Sequence, residues 1–361
     1  MSRTSTPDQS VPDVVLDHTE DGAGRVLSAG KLPADVLSRL LADLGPAPAD
    51  VLIGPAVGED ACAVEVPAGV IVGSTDPITL TSADVGRYAV MVNANDVAVG
   101  GARPRWFLAT VLMPVGSTQG QVEEVFGTIR EALAEVGAAL VGGHTEVTAA
   151  VNQPVVVGQM LGLAPPGAAV ATSGAAVGDV VVQAGLAPVE GAAVLAAEAV
   201  DRLATLPVDI REAARAAVRA PGISVVDAAL LSRDLGATAL HDPTEGGLAS
   251  GLHELAAAAG ARIRVDRDQV LWFPPGLEVC RLLGADPWAT LASGALLATF
   301  PPERTDVALR RLSRAGVPAA AIGVVEAGDG VYGTDADALP WPERDETVRL
   351  QDPGVPGAGD G

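Results

Sequence analysis

Along the chain, apolar positions follow two rhythms. In "PADVLSRLLADLG" (Pro33–Gly45), Leu37, Leu40, Leu41 and Leu44 recur at helical spacing and define one apolar face. Asp84–Val99 and Gln119–Val136 repeat the helical spacing, whereas "RWFLATVLMP" (Arg105–Pro114), Ala138–Thr148 and Gln153–Ala164 read as strands. Two more strands flank the Pro-Ala-Gly turn of "CAVEVPAGVIVGSTD" (Cys62–Asp76). The turn Pro165–Gly167 separates this region from a second of the same style. There the pattern predicts strands at Gly178–Gly185, Ala237–Asp242, Gly294–Phe300 and Ala320–Gly328. Helices are expected over Val189–Leu203, Ser224–Leu235, Leu248–Ala259 and near Arg304–Ala315. The prediction is a mixed α/β (α+β) protein with an N-terminal domain over residues 26–166 and a C-terminal domain over 167–340. An arm at 1–25 and a tail at 341–361 read as disordered, because small polar residues, Pro and Gly cannot bury enough apolar surface to offset ordering entropy.

Composition sharpens this picture. The 361 residues are 48% apolar but only 3% aromatic, so two cores must be packed from Val, Ala and Leu. The net charge is −22 and Lys31 is the only lysine. Such a balance repels nucleic acid and anionic lipid, and neither is expected as a partner. Phosphate is not excluded, since divalent cations and backbone amides can bind it without a basic surface. The uncharged run Val147–Gly178 is interrupted by Asn152, Gln153, Pro154 and the Pro165–Gly167 turn, and reads as strand, loop and strand, not as a membrane span. No charged-then-apolar signal opens the chain, so a cytoplasmic location is expected. Cys62 and Cys280 have neither metal-ligand spacing nor a disulfide framework.

The candidate chemistry centres on "MVNANDVAVGGARPRW" (Met91–Trp106), where two asparagines and an aspartate sit among valines and alanines. On a helix, Asn93, Asp96 and Gly100 share one stripe. Val85, Tyr88, Val92 and Val99 form a neighbouring core-facing stripe, and Asn95 projects elsewhere. An aspartate in such a run is costly unless paired, so Asp96 is either a metal ligand or the solvated end of a helix. Other acids occupy similar junctions: Glu59 and Asp60, Asp76, Glu146 with His144 after Gly142 and Gly143, and Asp242. Each alone is ordinary; together they form a hard-oxygen set suited to Mg²⁺ that is shared with phosphate. The turn carrying Thr244, Gly246 and Gly247 would present free amides to an anion. His144 reads either as a general acid–base or as a hydrogen-bonded structural residue. Lys31 reads as a phosphate cap or as an exposed residue before the first helix.

The segments "VGEDACAV", "TDPI", "NANDVAVGGARPRWFL", "VGGHTEVT", "TSGAAVGDVVV" and "HDPTEGGLA", in that order, resemble the aminoimidazole ribonucleotide (AIR) synthase superfamily. That superfamily also includes thiamine-monophosphate kinase, selenophosphate synthetase and the hydrogenase-maturation protein HypE. The resemblance runs from about Gly30 to Gly333 and leans to HypE-like members through "GGHTEVT" and "HDPTEGG". It implies two α/β domains, an N-terminal sheet that closes a barrel across a homodimer, and ATP in a cleft. Mg²⁺ would bridge the phosphates to Asp60, Asp76, Asp96 and Asp242, with Glu146 a further acid of the set. "SAGKLP" (Ser28–Pro33) occupies the place of a segment that folds over the nucleotide, bringing Lys31 to it. On this reading Asn93, Gly142, Gly143, Thr244, Gly246 and Gly247 belong to the nucleotide side, and His144 and Glu146 to catalysis.

The departures are equally specific. HypE acts through a cysteine at its extreme C-terminus, carbamoylated and then dehydrated to a thiocyanate. This sequence ends in "PGAGDG", and Cys280 lies far upstream in an expected helix. The Cys–Lys pairing of selenophosphate synthetase is also absent, since no cysteine precedes Lys31. The expected activity is Mg-dependent phosphorylation, by ATP, of an oxygen on a small molecule or a partner group. The alternative is a non-catalytic ATP-binding partner in a metalloenzyme-maturation complex. "RWFLATVLM" (Arg105–Met113) is expected to pair across the two-fold axis of a homodimer, because an apolar strand of that length is a poor free edge.

Overall fold

In the computed structural model, residues 30–31, 34–46, 48–53, 63–64 and 69–351 are described. Glu59, Asp60, Cys62, the arm at 1–25 and residues 352–361 lie outside them, and Lys31 is described by its backbone alone.

The N-terminal half contains β1 (Gly30–Lys31), α1 (Ala34–Ala42), β2 (Val51–Ile53), β3 (Ala63–Val64), β4 (Val70–Ile78), α2 (Val85–Val99), β5 (Arg103–Pro114), α3 (Gln119–Val136), β6 (Ala139–Thr148) and β7 (Val155–Ala164). Five strands form a sheet in the order β1-β6-β5-β7-β4, while β2 and β3 pair separately. Strand β5 runs parallel to β6 and antiparallel to β7, and β7 is antiparallel to β4. Helix α3 begins where the sequence predicts, because Thr118 accepts from the Gln121 N–H while the Gln121 side chain takes the Thr118 N–H.

Alternation on β5 fixes what each face of this sheet does. Phe107, Ala109, Val111 and Met113 are buried in the core with α2 and α3, whereas Leu108, Thr110 and Leu112 on the opposite face are only half-buried. Among the described residues that second face has no helix upon it, and Ile71 on β4 is 52% exposed there. The expectation that β5 offers its edge to a second copy is corrected: both its edges are already paired, by β6 and β7. Its apolarity follows from its central position.

The C-terminal half contains β8 (Val180–Ala184), α4 (Val189–Glu198), α5 (Val208–Ala216), α6 (Val226–Asp234), β9 (Ala239–His241), α7 (Gly247–Ala259), β10 (Arg262–Val265), α8 (Pro274–Leu283), β11 (Leu296–Phe300), α9 (Pro302–Arg314), β12 (Ala319–Glu326), β13 (Gly330–Gly333) and α10 (Glu346–Gln351). Its six strands are ordered β13-β10-β12-β8-β11-β9. Every neighbouring pair is antiparallel except β10 and β13. Residue alternation again divides the sheet: Val182 and Ala184 join a core shared with α4, α6 and the whole N-terminal half, while Val181 faces a second core under α7.

Helix α2 is where the halves meet. It packs on β4, β7 and α3 on one side and on α6 on the other, so every residue from Val85 to Ala98 except Asp96 is buried. Residues 341–351 are also ordered, contrary to the expected tail. Asp345 is buried there at the start of α10, and the Gln351 carboxamide donates to Leu80 O at 2.9 Å. Among the described residues, no helix is long and apolar enough to cross a membrane.

Candidate functional site

Strand β4 and helix α2 lie face to face, and the stripe read from the sequence is the contact between them. Asn93 meets Asp76, Asp96 meets Ser74, and Gly100 meets Val72. The Asn93 side chain accepts the Asp76 N–H at 2.9 Å and donates to Ala89 O at 2.8 Å and Asp76 O at 3.3 Å. It is fully buried, and both its oxygen and its nitrogen are engaged, so it grips β4 at Asp76. Gly158 makes room for it, since a Cβ there would lie 2.5 Å from Asn93 Nδ2.

Asp96 is the one residue of the Val85–Ala98 span left open. Ser74 Oγ donates to its Oδ2 at 2.7 Å. Burial is the largest influence on its carboxyl, raising it from 3.8 to about 7; the Ser74 bond opposes this, Asp76 adds to it, and His241 lowers it. The C-terminal half brings Asp242 to the same place, from just beyond β9. Asp242 is 6% exposed, its Oδ2 has no hydrogen-bond partner among the described residues, and burial followed by the charge of Asp96 pushes its carboxyl well up. Asp76 and Glu190 push it in the same direction. Glu190, in the first turn of α4, is 5% exposed with Oε2 unpartnered. Burial raises it to about 7, with the neighbouring Ser293 opposing the rise and the charge of Asp345 adding to it.

Acids from both halves therefore repel one another across the joint. The chemistry of this donor set suits a divalent cation, which would remove the repulsion and give the unpaired Asp242 oxygen a partner. Among the described residues no three His, Cys, Asp or Glu side chains converge closely enough to hold an ion by themselves. Mg²⁺ takes one or two carboxylates and completes its shell with water and phosphate oxygens.

Other expected site residues are placed differently. Thr110 pairs in register with His144, and Leu112 with Glu146, so both side chains stand on the helix-free face of the sheet. Asp76 is in the row of Gly158, Ala109 and Gly143, three strands away from β6, and its neighbour Ser74 reaches α2 on the other face. Three strand spacings are roughly 14 Å. His144 Nε2 and Glu146 Oε2 lie 3.2 Å apart and serve each other. Within one copy of the chain His144 and Glu146 thus stand on the opposite sheet face from Ser74, and the cause is strand parity. Gly142 and Gly143 lie on the same strand; a Cβ on Gly143 would lie 2.0 Å from Ala109 O, a close approach that only glycine allows at its φ of 152°.

The turn before α7 is formed, but its amides are engaged. Gly246 N–H donates to Asp345 Oδ2 at 2.8 Å, and Gly247 N–H to Thr244 O at 3.1 Å. Asp345 Oδ1 meanwhile accepts the Thr347 N–H at 2.7 Å, and burial raises its carboxyl to about 6. Lys31 pairs in register with Glu146 at the sheet edge. Cys280 is buried in α8, where burial pushes its thiol up to about 11, so it is no nucleophile. Sequence reasoning missed Ser74, Glu190 and Asp345. Glu190 left a faint signal as the only charge before Glu198 in the apolar run of α4, while Asp345 fell in residues read as tail.

Two sheet-bearing domains joined through one helix, with opposing acids at the joint, define the class of protein. Residues 58–164 match the family described as AIR synthase related protein, N-terminal domain, and residues 176–336 its C-terminal domain. The carbamoyl dehydratase HypE of Rhodobacter capsulatus is 31% identical over 241 residues, covering 66% of this chain and 68% of that protein. HypE of Rhizobium leguminosarum bv. viciae is 28% identical over 285 residues, covering 76% and 79%. Among solved structures, Escherichia coli HypE superposes with a TM-score of 0.74 at 22% identity, over 88% of this chain and 99% of that one. A HypE in complex with ATP gives 0.68 at 24%, over 81% and 90%, and thiamine-monophosphate kinase from Stenotrophomonas maltophilia K279a gives 0.67 at 24%, over 83% and 96%. The chain belongs to the AIR synthase related family, among its HypE-like members.

Proposed function

We propose that the protein binds ATP with Mg²⁺ at the joint between its halves and uses it to phosphorylate an oxygen of a small molecule or a partner group. The observation that carries this reading is the buried, unpartnered Asp242 oxygen of the C-terminal half, which feels the charges of Asp96 and Asp76 from the N-terminal half. The HypE structure with bound ATP and a thiamine-monophosphate kinase structure with AMPPCP and TMP, both of this fold, support a nucleotide as the ligand.

Asp96 and Asp242 would hold the ion, and Asp76 would stand beside them, its backbone fixed by Asn93. The metal would supply charge neutralisation to the phosphates. The chain's own part is positioning: Ser74 orients Asp96, and burial of Asp242 and Glu190 keeps water from screening the site. A homodimer closed through the helix-free sheet face would cover Leu108, Thr110 and Leu112 and the half-exposed Ile71.

One observation favours a second reading, a non-catalytic ATP-binding partner in a maturation complex. His144 and Glu146 are remote from the acids, and Asp345 already occupies the Gly246 amide, so the expected acid–base and anion-binding groups are not free. A HypE–HypF complex among the structural relatives supports a protein partner. Turnover of ATP by purified protein, alone and with neighbouring gene products or candidate metabolites added, separates the two. Stimulated hydrolysis or transfer supports the enzyme; binding with no turnover under any addition supports the partner.

A further inference from the structure

Helix α2 is pinned to the C-terminal half along its whole length. At its start, both terminal nitrogens of Arg219 donate to Asp84, at 2.6 and 2.7 Å. One turn on, Arg87 Nε donates to Val218 O at 3.3 Å. Just past its end, Arg233 donates to Gly101 O at 2.7 Å. Between them stands Asn95, wholly buried. Its Nδ2 donates to Ile223 O at 2.8 Å and its Oδ1 accepts the Val225 N–H at 2.8 Å. One planar amide thus bridges two peptides of the segment that leads into α6, as a neighbouring strand would.

The next residue is Asp96, and across the joint α2 lies against β9, the strand that ends at His241 just before Asp242; the Asp242 carboxyl feels the Asp96 charge. Consecutive residues of a helix share a rigid backbone, so a restraint on Asn95 is a restraint on where Asp96 stands relative to that half. We propose that Asn95 is a positioning residue that fixes Asp96 against Asp242 and thereby sets the opening of the site. This rests on the reading that these acids form the site. The amide suits the task because the segment offers one acceptor and one donor. Leucine would fill the volume but leave Ile223 O and the Val225 N–H unpaired in the core, and aspartate would keep the acceptor while losing the donor. Asn93 completes the arrangement by fastening β4 to the other side of the same helix, so the two asparagines in the turn before Asp96 each hold one half to it.

The test is a double-mutant cycle for Asp96→Asn and Asp242→Asn, by urea unfolding at pH 8 in EDTA without nucleotide, in wild type and in Asn95→Ser and Asn95→Leu backgrounds. In the wild type the two substitutions should be less than additive, because each relieves the same repulsion. In either Asn95 background that non-additivity should fall by about half or more. A merely structural Asn95 would lower the unfolding midpoint and leave the non-additivity intact, and that result, or its absence from the wild type, overturns the proposal. The smaller Asn95→Ser keeps the comparison available should Asn95→Leu not fold. As a second measurement, Asn95→Ser should weaken Mg·ATP about tenfold, while Leu230→Ala, a core change in α6 of similar destabilisation, should leave the Kd unchanged; equal Kd values in all three also overturn it. A wild type that binds no nucleotide defeats the reading of the site, and the cycle still decides the role of Asn95.

Discussion

Replacing Asp96 by asparagine should stabilise the protein in the absence of metal, and the size of the gain can be worked out. The Asp96 carboxyl is held at about 7 instead of 3.8, mainly by burial. A carboxyl raised in the folded state favours folding while protonated: its contribution is fully present below pH 3.8 and is lost as pH rises through about 7. At pH 8 the unfavourable term is at most about 4 kcal/mol. Because Asp76 and Asp242 share the repulsion and Asp96 keeps some contact with water, about 2 kcal/mol should be released by Asp96→Asn. The Ser74 bond survives, since an amide oxygen accepts as a carboxylate does. In EDTA at pH 8 the melting temperature should therefore rise by about 4 °C, and at pH 4 it should not change. Scanning calorimetry or urea unfolding at both pH values reads this directly. Loss of stability at pH 8 would refute the reasoning and make Asp96 a structural helix-end group.

Three further outcomes are expected. Asn93→Ala should cost about 1–3 kcal/mol by urea unfolding, because it strands the Asp76 N–H; a neutral result would mean that β4 is not held to α2 by this amide. Leu108→Glu, on the helix-free sheet face, should convert a homodimer to monomer or precipitate by light scattering, and a monodisperse wild-type monomer would remove the dimer from the proposal. Cys280 should resist thiol reagents at pH 7.5 until the protein unfolds, because the thiol is buried and pushed up to about 11; rapid modification of Cys280 in the native protein would contradict that burial.

Much of the fold was legible because its periodicities are local. Helix α3 has the limits its pattern predicts, and Asn93, Asp96 and Gly100 do share the face that meets β4. Four kinds of feature were not legible. The centrality of β5 depends on which strands flank it, and an apolar strand reads alike at a seam and in the middle of a sheet. His144 and Glu146 follow a Gly pair as a site residue would, yet strand parity sends them to the other face. Asn95 projected away from the acid stripe with no visible purpose, because its partners are backbone groups about 130 residues further on. Residues 341–351 look polar and tail-like in sequence, but Asp345 finds a buried amide at Gly246, a contact that no local pattern announces.

Calorimetric titration of ATP into the purified protein decides the proposed role of the joint most directly. With Mg²⁺ present, binding should be saturable, should be at least tenfold weaker in EDTA, and should be lost or strongly weakened in Asp242→Asn, whose metal-free stability stays equal to or above that of the wild type. Heat of binding that is absent at millimolar ATP, or that is unchanged by EDTA and by Asp242→Asn, would mean that the acids at the joint hold neither the ion nor the nucleotide.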